Sequence, residues 1–252
     1  MSLRLLPVVS PASFLQTLAS QCAVCRSWPA RRVCAPCMAR FGQPLPRCST
    51  CALALPGDLS LGRGAPSPQC AACIRQPPPL AACFAAMPYA YPWSDLVVSY
   101  KFGGAPAWGA VFAGFLLQAP GVRAALAELD SADLLIPLPL STQRLQSRGF
   151  NQAWELASQL ARQSGTRAAS DPRLLLRIRD TQPQAQLKRE ARMKNVQGAF
   201  VVDPLRVQVL QGRRVVLVDD VMTSGASLFA AAQALRDAGA AAVTAMVFAR
   251  TE

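Results

Sequence analysis

A parallel α/β sheet flanked by helices, preceded by a small metal-built N-terminal module, follows from three features of the sequence. Past residue 79, short apolar runs of strand length alternate with segments of helical spacing. Ahead of them, eight of the nine cysteines fall into four C-x-x-C pairs. Between the two regions Pro77-Pro78-Pro79 forms a stiff connector, which sets the expected boundary between a module over residues 1–78 and a domain over residues 79–252. A chain of 252 residues has room for both. With 52% hydrophobic against 16% charged residues, wholesale disorder is excluded.

The cysteine pairs are Cys22/Cys25, Cys34/Cys37, Cys48/Cys51 and Cys70/Cys73. Each C-x-x-C turn presents two thiolates on one knuckle, and two knuckles complete a tetrahedron around Zn2+. Eighteen residues separate the last two pairs and only eight the first two. Sequential pairing gives two successive zinc ribbons and interleaved pairing a cross-brace; spacing does not decide between them, and the sequential one is the working expectation. A disulfide framework is disfavoured by the odd cysteine total and by the strict C-x-x-C pairing. It is disfavoured too by a stretch from Met1 to Ser20 that holds one Arg and is broken by Pro7 and Pro11, unlike a signal peptide. The expectation is therefore about two structural Zn2+ ions in a cytoplasmic protein, with no open coordination position for chemistry. Leu55–Gln69 reads as loose, and its Gly62-Arg63-Gly64 lacks the third glycine of a dinucleotide fingerprint. Cys83 is unpaired in the apolar run Leu80–Met87 and reads as a buried strand residue.

In the larger region the elements follow in order. Leu80–Tyr91 is apolar and aromatic, a strand or hairpin. Leu96–Phe102 and Trp108–Leu117 have helical spacing. Asp133–Ile136 is a short apolar strand ending in Pro137-Leu138-Pro139. Asn151–Arg162 is a helix that Asn151 caps, with Trp154, Leu156 and Leu160 on its apolar face. Leu174–Ile178 reads as a strand, and Leu187–Asn195 as a basic helix or a mobile segment. Arg214–Asp219 is a buried strand ending in acid, Ala226–Ala238 an Ala-rich helix closed by Gly239, and Ala242–Ala249 another strand. Ligands of such sheets bind beyond the carboxyl ends of the strands, so the loops after Ile136 and Val218 are the informative ones.

Charge and residue content narrow the chemistry. Lys and Arg number 26 against 14 Asp and Glu, a formal +12. Only Lys101, Lys188 and Lys194 are lysines, which leaves 23 arginines. Two zinc centres of four thiolates would bring the net charge to about +8. Arginine forks bind phosphate bidentately, so a polyanionic partner fits. No histidine is present, which excludes Ser-His-Asp and Cys-His nucleophiles and His-ligated metals. No apolar run reaches the length needed to span a membrane as a helix, so no membrane insertion is expected.

The segment Val215–Ser227 carries the chemistry. A buried strand delivers Asp219 and Asp220, and a small turn of Thr223, Ser224 and Gly225 leads into Ala226, Ser227 and a helix N-terminus. Backbone N–H groups, three hydroxyls and the positive end of a helix dipole make an anion cradle. Vicinal carboxylates beside it suit a ribose 5-phosphate, with the acids on the 2- and 3-hydroxyls and the turn on the 5-phosphate. The Walker sequence is lacking, so this is not a P-loop.

These residues resemble the phosphoribosyl pyrophosphate (PRPP) motif of type I phosphoribosyltransferases, with Ser224 and Ser227 in place of Thr. Further along, Ile136–Leu140, Arg144, Arg148-Gly-Phe-Asn-Gln-Ala153, Thr181–Gln184, Leu187, Arg192 and Asn195–Phe200 resemble the competence protein F family. So do Tyr89–Phe102 with its Lys101-Phe102 and the double zinc ribbon, and the resemblance spans about residues 20–250. It implies a type I phosphoribosyltransferase-like parallel sheet behind a zinc-ribbon module, Mg2+ with PRPP or ribose 5-phosphate as ligand, and a link to DNA uptake in natural transformation. It gives Asp219 and Asp220 the ribose hydroxyls, directly or through Mg2+, as the catalytic pair. It gives Thr223, Ser224, Gly225, Ala226 and Ser227 the 5-phosphate, and Arg144 and Arg148 the pyrophosphate. Lys188, Arg189, Arg192 and Lys194 are either a lid over the leaving group or an ordinary basic helix face.

A phosphoribosyl transfer needs positioning of the ribose and neutralisation of the leaving pyrophosphate, for which histidine is dispensable. Thr223 stands where the family members acting on 6-oxopurines carry Asp, which argues against hypoxanthine or guanine as acceptor. Three readings stay open: a transferase with an unidentified acceptor, a single-stranded-DNA-binding accessory to DNA-uptake proteins, and a PRPP sensor. Arg26, Arg31, Arg32, Arg40 and Arg47 favour polyanion contact by the ribbons, but only Trp28 and Phe41 offer rings for base stacking there.

Overall fold

The computed structural model describes residues 20–57, 68–179 and 196–252. Contacts divide the chain into two compact units, residues 1–43 and 44–252. The boundary expected at Pro77–Pro79 lies inside the second unit.

In the first unit, Ser20 and Ala30 exchange backbone hydrogen bonds of 2.7 Å around the Cys22–Cys25 knuckle. Helix α1 (Ala35–Phe41) begins at Cys34 and buries Cys37. In the second unit, an isolated bridge between Arg47 and Ala54 frames the Cys48–Cys51 knuckle. Helix α2 (Ala71–Arg75) starts at Cys70 and buries Cys73.

Five parallel strands form the main sheet in the order β1-β7-β6-β2-β3: β1 (Ala82–Pro88), β2 (Leu134–Pro137), β3 (Ala169–Ser170), β6 (Arg214–Met222) and β7 (Ala242–Arg250). Strands β4 (Leu175–Arg177) and β5 (Phe200–Val202) pair antiparallel in a separate ribbon. The helices are α3 (Trp93–Phe102), α4 (Trp108–Leu116), α5 (Val122–Ala127), α6 (Thr142–Arg148), α7 (Gln152–Ser164) and α8 (Ala226–Asp237).

Both faces of the sheet are covered, which is why its central strands read as unbroken apolar runs. On one face Val215, Leu217, Val243 and Ala245 join Leu228, Ala231 and Leu235 of α8, and the same buried cluster takes in Cys48, Cys51, Cys70 and Cys73. On the other, Phe248 stacks on Phe112 of α4 at 3.8 Å, and Trp93 and Tyr100 of α3 meet this pair edge-on. The second cysteine group thus belongs to the core of the larger unit.

The strand and helix expectations agree in kind with the observed elements, with β6 the informative difference. It runs three residues past Asp219, because Val221 and Met222 still pair with Ala249 and Arg250 of β7. The acids therefore sit within a paired strand. Helices α1, α2, α5 and α6 and strands β3 and β5 have no counterpart among the elements expected from the sequence. The segments Met1–Leu18, Gly62–Gly64 and Leu187–Asn195 lie outside the described residues, and with them Lys188, Arg189, Arg192 and Lys194. No described helix is long and apolar enough to cross a membrane.

Candidate functional site

From β2 the chain winds outward to β3, and from β6 it winds the opposite way to β7, so the crevice beyond the ends of β2 and β6 is the topological switch point of the sheet. A cavity of about 530 Å3 opens there, within the range of small-ligand sites. Asp219, Asp220, Thr223, Gly225, Ala226 and Ser227 line it together with Arg144 and Arg148. Ser224 does not line it; its hydroxyl instead accepts from the Ala226 amide at 3.4 Å. A second cavity, of about 300 Å3 around Arg123, Thr166 and Arg167, has no carboxylate in its lining.

Each wall has a local cause. Gly225 adopts φ +84° at the start of α8, a left-handed conformation that glycine takes without steric cost. A Cβ there would stand 2.5 Å from Met222 Cε and 2.6 Å from Phe229 Cζ. Beyond β2, the Leu138 amide donates to the Val218 carbonyl at 2.8 Å, which docks the turn Leu138–Leu140 on β6. Asn151 caps α7 by accepting from the Ala153 and Trp154 amides, and its own Nδ2 donates to the Leu138 carbonyl at 3.2 Å. One side chain thus serves as helix cap and turn brace at once.

Electrostatically the cavity holds adjacent acids under a basic rim. Asp220 is 2% exposed, and Lys101 Nζ stands 2.9 Å from its Oδ2. Burial first, and the charge of Asp220 second, push the Asp219 carboxyl well above the usual carboxylate range, against the pull of Lys101. Arg148 lies over the Phe102 ring at 4.8 Å. Burial lowers the pKa of its guanidinium, with Asp220 opposing that shift and Arg144 adding to it. A partly desolvated guanidinium pair gains by meeting a bound anion.

Lys101, Phe102, Tyr89, Gln152 and Arg177 also line the cavity. Lys101-Phe102 enters the sequence reading only through family resemblance, and Gln152 only as part of the Gly-Phe-Asn-Gln stretch. Gln152 is 3% exposed, and its Oε1 accepts no hydrogen bond among the described residues. Its backbone carbonyl accepts from Tyr100 Oη at 2.6 Å, which holds α7 against α3. A buried acceptor without a donor on a cavity wall is suited to a ligand hydroxyl or amine.

The cysteines form two groups, Cys22, Cys25, Cys34, Cys37 and Cys48, Cys51, Cys70, Cys73, with all sulfurs in each within 4.8 Å of one another. That is the sequential pairing. Zn–S bonds of about 2.3 Å in a tetrahedron require S···S edges of about 3.8 Å. The Sγ distances of 3.9 Å for Cys22–Cys37, 3.6 Å for Cys25–Cys34 and 3.7 Å for Cys51–Cys70 fit. Both groups can hold zinc. Cys83 is 4% exposed on β1, burial pushes its thiol up to about 12, and its Sγ lies 3.8 Å from Met222 Sδ. It is an inert core residue, as its apolar surroundings suggested.

Comparison with known proteins adds relatives to this geometry. The phosphoribosyl transferase domain family matches residues 146–252. A Salmonella typhi protein named DNA utilization protein YhgH is 34% identical over 211 residues, covering 81% of this chain and 90% of the relative. Competence protein F of Haemophilus influenzae is 29% identical over 170 residues, 68% of this chain and 73% of that protein. Competence protein ComFC of Bacillus subtilis is 33% identical over 113 residues, 45% of this chain and 42% of its own length.

Proposed function

The chain belongs to the competence protein F family, and from that premise we propose that the cavity between β2 and β6 binds PRPP with Mg2+ in the service of DNA uptake during natural transformation. A single observation carries the ligand: vicinal acids, a hydroxyl-rich turn at a helix N-terminus and two arginines share one cavity of ligand size. In this reading the Thr223–Ser227 turn takes the 5-phosphate through its amides, hydroxyls and the dipole of α8. Asp219 and Asp220 take the ribose hydroxyls and are the hard oxygen donors that suit Mg2+, whose charge would screen the pyrophosphate. Arg144 and Arg148 take the pyrophosphate bidentately. Transfer to an acceptor then needs only that the ribose be held while the pyrophosphate leaves. The link to DNA uptake rests on the relatives' names, DNA utilization and competence proteins.

Thermal-shift titrations with Mg-PRPP, ribose 5-phosphate and pyrophosphate, each alone, test the assignment of subsites. Ser227→Ala should weaken ribose 5-phosphate about tenfold and spare pyrophosphate, and Arg144→Ala should do the reverse. Equal losses for both ligands in both variants count against the division of the cavity.

A second reading, single-stranded DNA contact by the first unit, is favoured by one observation. Trp28 is 67% exposed, and Arg26, Arg31 and Arg40 are exposed in the same unit. Exposed rings among arginines suit base stacking over a tracked backbone. Affinity for an oligonucleotide should then fall steeply with salt and drop in Trp28→Ala; binding that ignores both removes this reading.

A further inference from the structure

We propose that Arg250 ties the second cysteine group to the turn that lines the cavity, so that metal at Cys48, Cys51, Cys70 and Cys73 sets how firmly the cavity holds the phosphate of ribose 5-phosphate. The proposal rests on the reading of the cavity as an anion site and adds its control by a metal centre.

Arg250 ends β7 and is 6% exposed. Its Nε donates to the Cys51 carbonyl at 3.0 Å. Its Nη1 donates to the Met222 carbonyl at 3.3 Å and also reaches the carbonyls of Thr223 and Thr251. The guanidinium therefore bridges the first knuckle of the metal centre and the first residue of the anion turn. A trans peptide points its N–H opposite to its C=O. Carbonyls of Met222 and Thr223 held on Arg250 thus direct the Thr223 and Ser224 amides away from it, which is the orientation an anion cradle needs.

The charge of Arg250 points to the metal. Among the described residues no carboxylate stands within ion-pair distance of it, and Glu252 is taken by Arg47 at 2.8 Å. A buried cation held only by carbonyls is costly unless an anion lies near. Four thiolates around Zn2+ carry about −2, and the cysteine whose carbonyl accepts from Arg250 is itself one of the four. Loaded metal therefore compensates the buried guanidinium. With the metal withdrawn that compensation is lost, and the arginine then gains by turning to water, which releases the turn. Two further links run along the same path. The Cys83 amide donates to the Ser49 carbonyl at 2.8 Å while the Cys83 thiol packs on Met222, and Glu252 accepts from the Ala54 amide at 2.8 Å.

The test uses the full chain with ribose 5-phosphate as probe and amide hydrogen exchange as a second readout. Arg250→Lys keeps the charge but cannot reach both carbonyl sets. It should retain two zinc ions, bind ribose 5-phosphate about tenfold more weakly, and exchange faster at Thr223–Ser227 than at β6. Arg250→Gln should do the same more strongly. Withdrawing zinc from the native chain should reproduce the faster exchange at Thr223–Ser227. Native affinity in both variants, or unchanged exchange in the turn once zinc has left Cys48–Cys73, overturns the proposal. Failure of the native chain to bind ribose 5-phosphate defeats instead the reading of the cavity, and the exchange measurements still decide the coupling.

Discussion

Asp133 is 4% exposed at the start of β2. Its carboxylate accepts from the Asp130 amide at 3.0 Å, the Arg214 amide at 3.0 Å and Arg214 Nη2 at 2.5 Å. Burial alone would raise its pKa, but the Arg214 side chain and these amides outweigh it and hold the carboxyl below the usual range. A carboxyl depressed in the folded state stabilises above its unfolded pKa and loses that contribution as pH falls through the folded one. Stability should therefore drop from about pH 4 downward, and Asp133→Asn should flatten that limb in urea titrations between pH 2 and 6. At Gly225 the positive φ makes a different demand. Gly225→Ala should cost about 1–3 kcal/mol and weaken ribose 5-phosphate binding, measured by melting and titration. Single residues were unevenly legible. Asn151 was readable as a cap, because that role depends on its next three residues. Its bond to Leu138 and the whole role of Arg250 were not, because their partners lie 13 and up to 199 residues away.

Among the elements, the β6–turn–α8 unit was readable because a fully buried parallel strand is an unbroken apolar run and an Ala-rich helix follows it. Its true end was hidden, since Asp220–Met222 stay extended through pairing with β7 rather than through their own propensity. Helices α5 and α6 have six and seven residues, too short for a period of 3.6 to declare itself. Element packing on the aromatic side has a clear centre. Phe112 is fully buried between Phe248, Tyr100 and Trp108, at 3.8, 5.3 and 5.5 Å. Phe112→Ala should cost about 3–5 kcal/mol in denaturant unfolding. It should leave zinc at the second cysteine group in place, because Cys48, Cys51, Cys70 and Cys73 lie in the cluster on the other face of the sheet.

For the molecule, four C-x-x-C pairs announced two metal sites, and the sulfurs do gather in two sequential groups. What spacing could not convey is that only the first group belongs to a small unit, while the second is built into the core of the larger one. Elemental analysis of natively purified chain should find about two zinc ions. Chelation should lower the melting temperature of the larger unit as well as of the smaller, since its core loses a cross-link. One measurement addresses the cavity most directly: calorimetric titration of Mg-PRPP into the native chain and into Asp219→Ala/Asp220→Ala. Saturable binding to the native chain, lost in the double variant while its zinc content and melting persist, is the expected result. A native chain that takes up no Mg-PRPP, or a double variant that binds it equally well, would overturn the assignment of the cavity.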